Sequence, residues 1–403
     1  MNKPSPPLLL SQTIVYLGFA GTGVGMALPG AVLPTLLARW SMADSQGGLL
    51  FFAGWACCSL AALFVGRSRA RSLAWGCAAL AAGSFGMAFG SYPVCYLWMS
   101  LFGFGLGLTM TATSLLQAGR NPAHRGLELN RLNLVWALGA CLCPSLAAHS
   151  LRAASVRVIF SAMGLFFTLL CLWTLVMERD PTPLAAAPAP ATPFPPPVRH
   201  FSAAGVIRFA FRKLSLWPLA MVVAICLPTG IESSMGAWIA AYVQRTQHTI
   251  ATTVTAGTCF WLGLLLSRTL SSFVLLLRRS ERPILRQSLM TVVVGALLLI
   301  ATQSSLGIVP GVFLIGFGLG PIYPLLLAMA LDYSQDTAIF FVAGLGSAFL
   351  PWLTGIVSTT TASLRIGLLA PLAASMLMLV LGLRLAASPP KTRGSDRPAE
   401  SPV

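Results

Sequence analysis

Glu232 stands in the middle of an apolar stretch, in the run Gly230-x-Glu232-x-x-x-Gly236-x-Trp238-x-x-x-Tyr242. At 1.5 Å per residue it lies about 27 Å and about 18 Å of helix from the two ends of that stretch. A carboxylate at such depth in hydrocarbon is costly unless it is paired, hydrated or protonated. It could hydrogen-bond a polar solute, carry a proton, or tie down a neighbouring helix. Trp238 and Tyr242, four apart, share a helix face, and Asn130, Asn133 and Trp136 form a second set on one side of another helix. Flat aromatic faces beside amides and hydroxyls suit a sugar, whose C–H faces stack while its hydroxyls bond. Tyr323 and Trp352 complete the expected solute contacts. Thr109, Thr113 and Gln117 make a polar stripe, although such side chains also simply tie helices together.

Arg268 is the other charge inside an apolar stretch. Measured from the helix ends it differs from Glu232 by about six residues, roughly 9 Å in depth, so a direct bond is not expected. A contact near Asp332, or snorkelling of the long side chain, is expected instead, with gating and structural roles both open. Pro324 and Pro351 join Arg268 and Asp332 as gating candidates. Proline frees backbone carbonyls that only a cavity wall or a neighbouring helix can satisfy, and the Gly-rich runs Gly18 to Gly30 and Gly316 to Pro324 allow close helix approach.

Other chemistry lacks its residues. There is no G-x-x-x-x-G-K-[ST] phosphate loop and no H-E-x-x-H or G-x-S-x-G motif. The four His (His124, His149, His200, His248) fall near stretch ends, and the nine Cys sit in apolar runs without metal or disulfide spacing. No enzyme activity, cofactor or metal is expected.

The elements that position these residues follow from composition. Of 403 residues, 56% are hydrophobic and 9% charged, with a mean hydropathy of +0.80, against roughly 25% charged in a soluble domain. The lipid bilayer is the solvent for most of the chain. A spanning helix needs about 20 apolar residues, and twelve such stretches run near 11–38, 45–66, 71–90, 93–117, 127–150, 155–177, 214–244, 250–278, 283–303, 306–330, 335–359 and 362–386. With both termini cytoplasmic, 20 of the 26 cations fall on the inner side, 5 on the outer and 1 within a span, as retention of Lys and Arg in short inner loops requires. The net charge of +16 is therefore read as membrane topology, not as nucleic-acid binding. Pro181 to Pro197 carries eight prolines in seventeen residues, a linker that cannot be helical. The expected organisation is a first six-helix bundle (1–177), a Pro-rich linker with a basic interfacial segment (178–213), a second six-helix bundle (214–387) and a disordered tail (388–403).

The two sides of the linker repeat one another. Leu138-Gly139 with Pro144 and Leu146 recurs as Leu345-Gly346 with Pro351 and Leu353, and Gly-Phe-Gly-Leu-Gly at 103–107 recurs at 316–320. Six plus six helices with an internal repeat resemble the secondary transporters of the major facilitator superfamily. The motif around Glu232, Gly318-Leu319-Gly320-Pro321-Ile322-Tyr323-Pro324, and Gly344-Leu345-Gly346 before Pro351-Trp352 and Gly355 resemble its fucose–galactose–glucose branch. In the first half, Gly103 to Gly107, Arg125-Gly126, and Leu129-Asn130 leading to Gly139 and Pro144 agree.

The resemblance implies an all-α, twelve-helix, multi-pass monomer in a bacterial inner membrane. Its implied partners are a small polar solute, most simply sugar-like, the lipid bilayer, and protons as coupling ion through Glu232. The sequence departs from the pattern in places. The loop Gly66 to Arg71 lacks the superfamily's usual Asp, and Met110, Ser114 and Gly30 stand where acids or an Asn would be sought, so the first half shows no proton carrier. An exporter of hydrophobic compounds with the same fold, and a non-transporting receptor or scaffold, are the alternatives.

Overall fold

In the computed structural model the described residues are 6–66, 68–120, 125–153, 155–179, 216–246, 248–278, 282–333 and 338–387. The expected Pro-rich linker, the basic segment before Lys213, and the tail lie outside them. The first half comprises α1 (Pro6–Ala31), α2 (Leu33–Trp40), α3 (Asp44–Ala61), α4 (Arg69–Phe89), α5 (Cys95–Arg120), α6 (Arg125–Ala153) and α7 (Val156–Arg179). The second comprises α8 (Leu216–Arg245), α9 (Ile250–Arg278), α10 (Arg282–Ala301), α11 (Ser305–Tyr333), α12 (Ala338–Thr361), α13 (Leu364–Gly367) and α14 (Leu369–Ala387). In the bilayer every backbone polar group must be satisfied within its own segment, which is why apolar stretches of this length become helices.

Eleven helices among the described residues are long and apolar enough to cross a membrane. The 24-residue α12 takes the remaining place in the order of spans, giving the twelve expected. The first span is broken at Val32, just before Pro34 at the start of α2; proline removes a backbone donor and restricts the residue before it. The second and third spans are separate. α3 ends in one 3₁₀ turn over Ala62–Phe64, and α4 starts behind Ser68, whose side chain accepts from the Arg71 amide.

The repeat seen in the sequence is a repeat of packing. A Cβ on Gly103 would meet the Gly54 carbonyl of α3, and one on Gly316 the Phe260 carbonyl of α9. Gly105 faces Leu80 of α4 as Gly318 faces Val292 of α10, and Gly139 lies on the Ala20 carbonyl as Gly346 lies on that of Cys226. Small residues let backbones approach to where dispersion and weak polar contacts hold helices together in lipid. The cations repeat as well. Arg39 donates to the carbonyls of Met87, Ala88 and Gly90 at the end of α4, and Arg365 to that of Ile300 at the end of α10. Each satisfies the last carbonyls of a helix and complements its dipole.

These contacts leave no room for a side chain. Gly103→Val is expected to cost about 1–3 kcal/mol, the range for overpacking a close-packed site, read as a lower melting temperature of the detergent-solubilised protein. Gly316→Val should cost a similar amount, because it breaks the equivalent contact in the other half.

Candidate functional site

The centre of the site is built on α8, α9, α6 and α11. Pro228 lies four residues before Glu232 and removes an amide from the α8 ladder. The local backbone is tied instead to α12: the Thr229 hydroxyl donates to the carbonyl of Ala343 at 2.6 Å, and Ser347 donates back to the Thr229 carbonyl at 3.4 Å. One turn on, the Glu232 carboxylate accepts from the Arg268 guanidinium of α9 at 3.3 Å, with side-chain exposures of 14% and 20%.

This pair corrects the expectation that the two charges do not touch. The depth offset from residue counting is taken up by the reach of the arginine, which leans across the space between the helices. On its way the guanidinium lies over the Trp136 ring of α6, 5.6 Å from its centroid, a cation–π contact. Trp136 meets Trp261 of α9 edge to face at 5.8 Å. Its indole N–H is buried and has no hydrogen-bond partner among the described residues. Tyr323 of α11 is within electrostatic reach of both Glu232 and Arg268. Gly320, three residues before it, lets α11 pass beside the backbone amide of Arg268. The result is a mid-span cluster of carboxylate, guanidinium, phenol and indole to which both halves contribute.

Other expected residues fall elsewhere. Trp238 and Tyr242 share a face as predicted, and that face is buried, with the Trp238 ring reaching Gly47 of α3. Both are fully buried; the Trp238 indole donates to the Pro351 carbonyl at 2.9 Å and the Tyr242 hydroxyl to that of Leu299 at 3.3 Å. Their polar atoms are engaged by backbone carbonyls of neighbouring helices. Trp352 packs with Phe349 of its own helix and Phe52 of α3, across the boundary between halves. Asn133 is exposed, Pro324 is exposed, and Pro351 is buried against α8. The side chains of Asn130 and Asp332 lie outside the described residues.

Two carboxylates escaped the sequence reading, and both are in the half that showed no proton carrier. Glu128 of α6 is buried, accepts from Gln117 of α5, and pairs with Arg131 at 2.9 Å; Gln117 also reaches the Tyr16 hydroxyl of α1. Asp44, at the start of α3, accepts a two-pronged bond from Arg245 of α8, 2.6 Å at each oxygen, and a further bond from Ser358 of α12. A guanidinium fork on a carboxylate is the stronger and more directional form of ion pair. Here it joins the halves at the end of the bundle away from the termini. Gly30 lies against the Gly236 carbonyl and Gly355 against that of Asp44, so this end is closed. The signal for Asp44 in the sequence was thin: an acid near a span start, opposite a cation that served only to orient the chain.

The profile described as Major Facilitator Superfamily matches residues 15–343. No curated protein matches the chain. Among solved structures it is similar to a peptide transporter in complex with sulfate (TM-score 0.72, 13% identity, 94% of this chain and 95% of that one). It is also similar to a nucleoside transporter, NupG (0.71, 13%, 94% and 98%), and to the partially occluded inward-open xylose transporter XylE from E. coli (0.68, 13%, 97% and 100%).

Proposed function

The chain belongs to the major facilitator superfamily, and from that premise we propose that it carries a small polar, sugar-like solute by alternating access, with Glu232 as the proton-coupling group. The observation that carries this reading is the Glu232–Arg268 pair under Trp136, with an unpartnered indole N–H beside it. A buried polar atom left without a partner calls for one, and a hydroxylated solute supplies it while stacking a C–H face on an aromatic ring. Protonation of Glu232 would cancel the charge that holds Arg268, freeing the guanidinium to exchange its carboxylate for the solute.

In this reading Trp136, Glu232, Arg268 and Tyr323 contact the solute. The Asp44–Arg245–Ser358 clasp closes one end of the path, and both termini lie in the cytoplasm of a cell whose plasma membrane holds the protein. Similar folds carry xylose, nucleosides and peptides, which supports a polar cargo.

A thermal-shift screen of purified protein against sugars, polyols, nucleosides and amphipathic cations tests the class, since a ligand that binds only the folded state raises apparent stability. A hexose or pentose present at about 100 times its dissociation constant should add about 2.7 kcal/mol, and Trp136→Ala should remove the shift. Stabilisation by amphipathic cations alone would favour an exporter of hydrophobic compounds.

A further inference from the structure

Two cations of the first half meet at the end of the bundle away from the termini. Arg39, in the last turn of α2, is held on the carbonyls of Met87, Ala88 and Gly90 at the end of α4, and its guanidinium lies over the Trp40 ring, 5.0 Å from the centroid. Arg157, in the first turn of α7, is within electrostatic reach of it. The helices beneath them run antiparallel: a Cβ on Gly164 of α7 would meet the Phe85 ring of α4, and the Cys171 thiol donates to the Ala74 carbonyl at 3.3 Å. That register brings the start of α7 level with the end of α4, where Arg39 is held.

No described carboxylate balances this charge. Glu232 is mid-span, Glu128 stands in the first turn of α6 at the opposite end, and Asp44 is taken up by Arg245 and Ser358. The Arg157 side chain is exposed and makes no hydrogen bond or ion pair among the described residues. The carbonyls under Arg39 supply only the partial charge of a helix end, about half a unit. Two like charges held together without a counter-charge are complementary to an anion.

Below the cations the surface is apolar. Val158, Ala162, Leu165 and Leu169 are exposed along one face of α7, and Phe89 at the end of α4 is 67% exposed. From Val158 to Leu169 is about 16 Å of helix, the depth of one leaflet of a hydrocarbon core about 30 Å thick. Trp40 beside Arg39 suits the headgroup level, where amphipathic rings collect. A free phosphate would use only the cationic rim; an anion carrying its own acyl chains uses the rim and the face together.

We propose that Arg157 and Arg39 hold the phosphate of one anionic phospholipid, whose acyl chains lie along Val158 to Leu169 of α7 and against Phe89 of α4. The guanidinium fork matches phosphate oxygens in geometry and charge. Because Arg39 ties α2 to α4, the bound head removes the repulsion from Arg157 that opposes this tie. The site is on the flank of the first bundle, shares no residue with the Glu232–Arg268 cluster, and does not depend on which solute is carried.

The test uses the full-length protein in phosphatidylcholine liposomes containing a phosphatidylglycerol with a diazirine near the ester of one chain, and labelled peptides are read by mass spectrometry. Label is expected in 85–92 and 156–169, displaced about fivefold better by phosphatidylglycerol than by added phosphatidylcholine, and not by glycerol phosphate. Arg157→Gln should weaken displacement by phosphatidylglycerol about fivefold, and Arg157→Lys should retain it. Arg157→Glu, which gives Arg39 an internal counter-charge, should erase the difference between the two lipids in these peptides. Equal displacement by both lipids in the unaltered protein, or labelling of 85–92 and 156–169 unchanged in Arg157→Gln and Arg157→Glu, overturns the proposal. Displacement by glycerol phosphate as effective as by the lipid assigns the rim to a free phosphate and overturns it equally.

Discussion

Replacing Glu232 by Gln is expected to abolish concentrative uptake while leaving the protein in the membrane. The substitution removes a charge but keeps the shape, and leaves Arg268 over Trp136 without its carboxylate. Breaking one side of a buried pair costs about 3–5 kcal/mol. At about 1.4 kcal/mol per decade, even the lower end of that range is about a hundredfold in any equilibrium that depends on the pair. Exposures of 14% and 20% place this pair nearer that lower end. The measurement is solute accumulation in proteoliposomes under an imposed proton gradient, across a range of pH.

Two further variants separate function from scaffold. Arg268→Gln combined with Glu232→Gln restores neutrality, so it should recover thermal stability without recovering uptake. Arg268→Lys keeps the charge but loses the planar contact with Trp136, and should raise the half-saturation concentration more than it lowers the maximal rate. Unchanged uptake and unchanged pH dependence in Glu232→Gln would assign the pair to helix packing.

The second large effect concerns the closed end. Asp44→Asn removes the charge that receives both nitrogens of Arg245 and the hydroxyl of Ser358. Hydrogen bonds to charged groups contribute about 1.5–3 kcal/mol each, discounted here because Arg245 is 46% exposed and solvent screens it. A shift of about tenfold toward the arrangement open at this end is expected. A cysteine introduced at Thr35, in a chain whose nine native cysteines have been replaced, reports the change as faster reaction with a membrane-impermeant maleimide. Arg245→Gln should do the same. The charge exchange, Asp44→Arg with Arg245→Asp, should slow the labelling again. Equal rates in all four proteins would mean that the close backbone contact of Gly30 with Gly236 holds this end without help from the clasp. Gly30→Leu would then be the variant that opens it.

Much of the fold could be read without coordinates because the bilayer removes choices. An apolar run of about 20 residues must satisfy its own backbone, and a helix does so; hence the spans came out within a few residues of α1 through α14. The two halves were legible for a related reason. Gly103 to Gly107 and Gly316 to Gly320 are small because backbones touch there, and that need repeats whenever the packing repeats.

What the residues could not disclose was how non-adjacent helices lean on one another. The depth of Glu232 followed from counting along one helix, but its meeting with Arg268 depends on the tilt of two helices and the reach of a long side chain. The helical period placed Trp238 and Tyr242 on a common face, yet their partners are settled by α10 and α12, whose carbonyls take up both polar atoms. Asp44 and Arg245 are 201 residues apart, and no local rule links them. Local chemistry and the solvent therefore determined the helices, their number and their pairing into repeats. Only the tertiary structure decided which charges meet across the halves, because those contacts are fixed by rigid-body geometry that no single span encodes.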